Sequence, residues 1–351
     1  MPDELTRLDL LPKQPSSPVG IMPKFAKSPA IIAELSANHL GRFERAKALV
    51  QEAAAAGADF VKFQHYRADT ITVDGSHAQL TLGAKSPWAG QRLFDLYSEG
   101  SMPWEWTSDL IAISRDAGVG WLSTPFDESA VDFLEEFDPA AYKISSFDVV
   151  HLPLIRYAAR TGKPMIISTG MASVEEIDRA VSAAVDFGAR EVVLLRANSA
   201  YPALPEAMDL SSISRMSHLW ETPVGLSDHT LGNTAAVVAA GLGAEVFEKH
   251  LTLRRADGGP DALFSSEPEE FATYVEAVRE AVACLGVPRF GPSTEEMPNL
   301  VARPSVRAST EICPGEVFSR SNVRVARPSG GLDPDEIGDL LGARASRQVE
   351  A

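Results

Sequence analysis

PVGLSDHTLGNTAAVVAAGLGAEVFEKH (223–250) holds the repeating unit of this fold. A short run, PVGLSD (223–228), gives way to a helical pattern, TAAVVAAGLG (234–243), and a second short run, EVFEKH (245–250), follows at once. A helix between two short runs carries the chain back to the start of the sheet, so the runs are expected to lie parallel. Side chains alternate across a strand. One parity of the first run therefore leads to Ser227 and His229, and one parity of the second to Glu248 and His250.

The same unit recurs from about Ala30 to Gly286. Its other short runs are AIIAEL (30–35), DFVKFQ (59–64), VGWLST (119–124), AYKISS (141–146), PMIIST (164–169) and EVVLLR (191–196). Helical patterns such as RFERAKALVQEAAAAG (42–57) and PEEFATYVEAVREAVACLG (268–286) fill the gaps. Several end in Gly, as helix C-caps do. PEAMDLSSISRMSHLW (205–220) is the least regular of them. Eight strand–helix units predict an α/β fold, and closure into a (β/α)8 TIM barrel is the simplest way to bury them. The 65–103 connection is too long for a plain link and is expected to be a functional loop.

Parity then places chemistry. In the first run Ile31, Ala33 and Leu35 share one face and Glu34 stands on the other. Lys62 and Gln64 oppose Val61 and Phe63, and Lys143 opposes Tyr142 and Ile144. Thr124, Ser168, Ser227, His229, Glu248 and His250 complete a polar set near the C-terminal strand ends. Interior polar groups are costly unless partnered or used. A ring of them at that end of a barrel is where such folds keep their active sites.

His229 and His250, on consecutive strands about 4.8 Å apart, can grip one divalent ion, with Asp228 and Glu248 near enough to assist. Two histidines leave coordination positions open, which suits Lewis-acid work. Lys62 and Lys143 point into the same mouth, where an anion between them, or a salt bridge to Glu34 or Glu248, would relieve their repulsion and desolvation. Two ammoniums with the hydroxyls of Thr124, Ser168 and Ser227 suit a ligand carrying both carboxylate and phosphate. A lysine forming a Schiff base, as in an aldolase, is the competing reading.

Composition narrows the setting. The net charge is −16, which disfavours nucleic acid and anionic membranes as partners. No apolar stretch is long enough to span a bilayer. Two cysteines, Cys284 and Cys313, make no metal motif and fit a reducing compartment, so a cytoplasmic location is expected. Residues 1–28 have no sustained apolar core and read as a flexible leader rather than a signal peptide. The barrel is expected over 29–290, a Pro-rich linker over 291–302, and a small module of short strands and turns over 303–351.

These segments resemble the sialic acid synthases, which make N-acetylneuraminate, legionaminate and pseudaminate. The likeness rests on AELSANHLG (33–41), GADFVKFQ (57–64), LSTPFD (122–127), YKISS (142–146), ISTGMAS (167–173), AYP (200–202), GLSDHTLG (225–232), FEKHLT (247–252) and GGPD (258–261). RPSGGL (327–332) is similar to the antifreeze-like, or SAF, module of that family, and SPWAGQRLFDLYSEGSMPWEW (86–106) to its pseudaminic acid synthases. The resemblance implies condensation of phosphoenolpyruvate and water with an amino-sugar aldehyde, giving a nine-carbon nonulosonic acid and phosphate. The acceptor implied is 2,4-diacetamido-2,4,6-trideoxy-altrose, with N-acetylneuraminate or legionaminate synthesis as the alternative.

By the same resemblance His229 and His250 bind Mn2+, with Mg2+ or Co2+ as substitutes. Lys62, Lys143, Thr124, Ser146, Ser168, Ser199 and Ser227 hold phosphoenolpyruvate. Glu34, Gln64, Tyr201, Asp261 and Glu248 face the sugar or activate water, and Arg327 reaches the other subunit's site in a domain-swapped homodimer.

Three departures stand out. Asp148 replaces a usual Glu and is expected to reach the sugar only through water, or not at all. Ala197 and Asn198 replace a usual Cys-Thr pair. The chain stops at RASRQVEA (344–351), where the family continues into another turn and strand, so the module is expected to be incomplete. Those departures keep a catalytically silent sugar-binding barrel in view.

Overall fold

The computed structural model describes residues 28–84 and 86–351. Apart from Ser28, the expected leader lies outside the described residues.

Eight parallel strands close in sequence order: β1 (Ala30–Glu34), β2 (Phe60–His65), β3 (Gly120–Pro125), β4 (Tyr142–Ile144), β5 (Met165–Ser168), β6 (Val192–Ala197), β7 (Val224–Asp228) and β8 (Val246–His250). Closure comes where β8 pairs with β1, from Ala30 opposite Val246 to Glu34 opposite His250. The connections carry α1 (Phe43–Ala55), α2 (Ala68–Ile71), α3 (Leu93–Gly100), α4 (Thr107–Asp116), α5 (Glu128–Glu135), α6 (Leu152–Ala159), α7 (Val174–Asp186), α8 (Ser212–Trp220), α9 (Thr234–Gly241) and α10 (Pro268–Leu285). The irregular 205–220 segment thus contains a helix, α8, after a single 3-10 turn at Pro205–Ala207. The 65–103 connection carries α2 and α3 and is not structureless.

Alternation along the strands sorts the apolar residues into two bodies. Ile31, Ala33, Val61, Phe63, Tyr142, Ile144 and Phe247 face outward into the layer shared with the helices. Ala30, Ile32, Phe60, Leu122, Ile166, Leu195 and Val246 face inward and fill the floor of the barrel. Gly225 belongs to that inner set because there is no room for more: a Cβ would sit 2.1 Å from the Val246 carbonyl oxygen. The next inward position on most strands, one step toward the C-terminal end, is polar.

The chain parts into two units after Gly286. In the second unit, Met297–Ala302 form a 3-10 helix within the stretch read as linker. β9 (Ser305–Ala308) pairs antiparallel with β10 (Val323–Ala326), and α11 (Ile337–Leu340) follows. Val306, Ile312, Val323 and Ala345 form its small core. Residues from the terminal segment pair back into this unit, Arg344 with Val317 and Val349 with Ile312. Among the described residues, no helix is long and apolar enough to cross a membrane.

Candidate active site

The inward polar positions open into one cavity of about 790 Å3. Every candidate site residue singled out in the sequence lines it except Thr124, Asp228 and Arg327. Thr124 is buried beside Lys62, whose Nζ donates to its Oγ1 (3.0 Å). Arg327 belongs to the small unit, where it is exposed directly after β10.

Four buried charges form the base of the cavity. Lys62 contacts the Glu34 carboxylate and lies 3.8 Å from Glu248 Oε2, while Lys143 Nζ lies 3.4 Å from Glu248 Oε1. Strand register makes the first pair, since Glu34 and Lys62 are opposite each other on β1 and β2. Of the two readings of these lysines, the salt bridges are the one seen here. The two ammoniums do not depend on an anion for compensation, because Glu248 stands between them and Glu34 beside one of them.

The four respond differently to burial. Burial pulls the Lys62 pKa down, but the Glu248 and Glu34 carboxylates outweigh it and hold the amine protonated. Lys143 is pulled down to about 8 by burial, with Glu248 resisting and Lys62 adding repulsion. Burial pushes Glu34 upward, and the negative charge on Glu248 keeps it raised despite Lys62. Burial also pushes Glu248 upward, but Lys143 and Lys62 together bring it below the ordinary carboxylate value. Glu248 is thus the fixed anion, and Glu34 the carboxyl closer to exchanging a proton.

A serine cradle adjoins these charges. Ser227 Oγ donates to Glu248 Oε1 (3.1 Å), and Gly170 N–H donates to Ser146 Oγ (3.1 Å). Gly170 permits the approach: a Cβ there would lie 2.3 Å from Ser199 Oγ and 2.8 Å from Ser146 Oγ. Among the described residues the buried Ser168 hydroxyl has no hydrogen-bond partner, and the Ser199 hydroxyl meets the Tyr201 phenol. Buried hydroxyls seldom go unpaired, so Ser168 on the cavity lining marks a place for a polar ligand.

The two imidazoles stand 5.4 Å apart, centre to centre. His229 Nδ1 is 2.7 Å from the Asn198 carbonyl oxygen, so Nδ1 carries the proton and Nε2 keeps its lone pair. Among the described residues the buried His250 Nδ1 has no hydrogen-bond partner. Burial lowers both pKa values, which favours the neutral, ligating form. The pair therefore fits a divalent ion. Among the described residues no group of three or more His, Cys, Asp or Glu is arranged to hold a metal. Asp228 gives no help: it turns outward, accepting from Lys249 Nζ (2.9 Å) and from Thr230 N–H and Oγ1.

Asn198 also explains part of the departure at 197–198. Its Nδ2 donates to the Ala207 carbonyl (2.7 Å) and its Oδ1 accepts from Ala200 N–H (2.9 Å), so it braces the loop that orients His229. Asp148 lines the cavity, with Ser145 Oγ donating to its carboxylate, and burial raises its pKa. Burial likewise raises Asp261 and Tyr201.

The structure adds residues that parity could not reach. Ser36 N–H donates to Glu34 Oε1 (2.6 Å), its Oγ bonds Asp261, and Gln64 Nε2 donates to that Oγ (3.1 Å). Ser36 lies just past β1 with φ near +42°, outside the strand alternation. Tyr66, Trp88, Tyr97 and Phe126 form another wall. Trp88 Nε1 donates to the Pro260 carbonyl (2.7 Å), and its ring meets Tyr201 at 5.7 Å. Trp104 and Trp106, at the end of the same aromatic stretch, pack instead against Phe133 and Phe43.

Comparison with known proteins agrees with this geometry. The NeuB family profile matches residues 49–289 and the SAF domain profile residues 303–351. The chain is 37% identical over 320 residues to the pseudaminic acid synthase of Campylobacter jejuni subsp. jejuni, covering 91% of this chain and 93% of that one. It is 33% identical to the N,N'-diacetyllegionaminic acid synthase of Legionella pneumophila, covering 95% of each. Among solved structures, the citrate complex of N-acetylneuraminic acid synthetase from Leptospira borgpetersenii matches with a TM-score of 0.69 at 30% identity, covering 78% of this chain and 90% of that one.

Proposed function

The chain belongs to the NeuB family, and from that premise we propose how its residues divide the work of nonulosonic acid synthesis. It is a phosphoenolpyruvate-dependent synthase that condenses the enolpyruvate with an N-acylated amino-sugar aldehyde and water, releasing phosphate. Our reading of the acceptor is the 2,4-diacetamido-2,4,6-trideoxy-altrose that leads to pseudaminic acid. The similarity to the Campylobacter enzyme and the shared aromatic stretch over 86–106 support it.

The observation that carries the assignment of roles is the convergence of Lys62, Lys143, several serine hydroxyls and two neutral imidazoles on one cavity. Phosphoenolpyruvate is the anion of the pair, so it takes the lysine and serine side, with Lys62, Lys143, Ser146, Ser168, Ser199 and Ser227 as donors. Thr124 acts through Lys62 by fixing its ammonium. His229 and His250 would hold a divalent ion, Mn2+ by preference, which as a Lewis acid would polarise the acceptor aldehyde.

C3 of phosphoenolpyruvate forms the new bond to the aldehyde carbon. Water adds at C2, and Glu34, whose pKa is raised by burial, takes its proton. The new alkoxide takes up the proton held by Glu34, and the C2–O bond to phosphate breaks as the remaining hydroxyl proton passes to the departing phosphate, leaving a 2-keto acid. Glu248 stays charged and holds both ammoniums in place. Gln64, Asp148, Tyr201 and Asp261 face the sugar. In this reading the protein is cytoplasmic, in keeping with its exposed free thiols, and works as a homodimer in which Arg327 serves the partner's site.

Three acceptors assayed side by side test the proposal: N-acetylmannosamine, the 2,4-diacetamido-trideoxy-mannose and its altrose isomer. The altrose isomer is expected to give the highest kcat/KM for phosphate release. Preference for either other sugar would refute the acceptor assignment, and binding without phosphate release would favour a silent barrel. With 18O in the bridging oxygen of phosphoenolpyruvate, label is expected in the released phosphate.

A further inference from the structure

The cavity is lopsided. Its charged and hydrogen-bonding side chains come from the strand ends and from the loops at 145–148, 199–201 and 261. The connection between β2 and α4 supplies an aliphatic part of the lining, Ile71, Leu82, Leu93 and Leu96, together with Tyr66 and Tyr97. Among the described residues this segment brings no charged side chain to the cavity. Its polar groups there are few: the Tyr66 and Tyr97 hydroxyls, Ser86 Oγ, which accepts from Trp88 N–H (3.1 Å), and Trp88 Nε1–H, which is given to Pro260. Leu96 is buried, while Ile71, Leu82 and Leu93 are half-buried and keep surface to give.

A sugar hydroxyl pressed on that wall loses water and finds little in return, whereas a methyl group gains by leaving water. Phosphoenolpyruvate, an anion throughout, has no group suited to it. Resting on the synthase reading above, we infer that Ile71, Leu82, Leu93 and Leu96 form the subsite for the acceptor's far end and select sugars whose terminal carbon is a methyl. Trp88 sets the wall's position relative to the imidazoles, because its ring touches Tyr201 and Tyr201 touches His229 (4.4 Å between ring centres). These aliphatic residues are specificity determinants, remote from the bond being made.

The test uses the full-length protein with Mn2+ and two acceptors that differ at one position, 2,4-diacetamido-2,4,6-trideoxy-altrose and its 6-hydroxy counterpart. Adding a hydroxyl or removing a methylene contact changes selection by about 10- to 200-fold in a pocket of this kind, so the 6-deoxy sugar is expected to lead in kcat/KM by that order. The near-isosteric Leu93→Asn and, separately, Ile71→Thr are expected to narrow the lead at least several-fold, chiefly through KM for the deoxy sugar. The KM for phosphoenolpyruvate should stay where it was. Two independent, partly exposed positions guard against one variant failing to fold. Equal use of both sugars by the unaltered protein, or an undiminished lead in both folded variants, overturns this inference alone. No turnover of either sugar overturns the acceptor assignment and this inference with it.

Discussion

Within this barrel two residues separate the floor from the working end. Ile32 is followed two positions later by Glu34, Phe60 by Lys62, Ala141 by Lys143, Ile166 by Ser168 and Val246 by Glu248. All ten are nearly inaccessible to solvent. Below, burial removes apolar surface from water and stabilises the fold. Above, burial strips charges of hydration, a cost that the opposite charges outweigh at Lys62 and Glu248 but not at Lys143 and Glu34. The same strands therefore serve stability at one level and chemistry at the next. Substitution at the two levels should affect different measurements.

The largest separation is expected from His250→Ala. Losing an ion worth several kcal/mol of transition-state stabilisation should lower kcat/KM by about 10³-fold or more. The melting temperature should hold or rise, since an unpartnered buried imidazole is removed. Normal turnover in this variant, or in excess chelator, would sink the metal assignment.

Glu34→Gln comes next, with a fall in kcat of roughly 10² to 10³ if Glu34 is the proton acceptor. An equal fall in Glu248→Gln accompanied by a raised KM for phosphoenolpyruvate would sharpen the contrast between the moving proton and the fixed anion. A Glu34→Gln enzyme with wild-type kcat would remove it.

At the floor, Leu122→Ala is expected to cost about 3 kcal/mol of stability, within the range for fully buried leucines. Denaturant unfolding reads this directly. The activity of the folded fraction should change little, and a large loss of kcat without a loss of stability would break the distinction between the levels.

The smallest effect is in pH. The Lys143 amine, held at about 8, is charged below that value and neutral above it. A Lys with a lowered pKa loses its charge earlier on the alkaline side, so kcat/KM for phosphoenolpyruvate should decline about tenfold per unit above pH 8. A flat profile to pH 9.5 would show that Lys143 does not carry anion binding.

Much of this was legible because a strand's parity is a local property. VKFQ already states that Lys62 and Gln64 share a face, and FEKH that Glu248 and His250 do. The resemblance to sialic acid synthases added Ser146, Ser199, Tyr201 and Asp261, which lie in loops where no period applies. Asp228 misled, because proximity to His229 in sequence says nothing about the face it takes. It follows its own parity outward to Lys249. Ser36 and the aliphatic wall escaped notice because each lies off a strand and acquires meaning only from what folds against it.

The sequence by itself determined the strand–helix alternation, the inward polar ring and the family, since a period of two residues and short motifs survive in any window. Tertiary structure alone decided that Glu34 meets Lys62, that Glu248 stands between two ammoniums, and that the β2–α4 connection walls the cavity. Those depend on register across the closing β8–β1 seam and on contacts between segments far apart in sequence. The energy of a buried charge is set by the neighbours that closure brings to it.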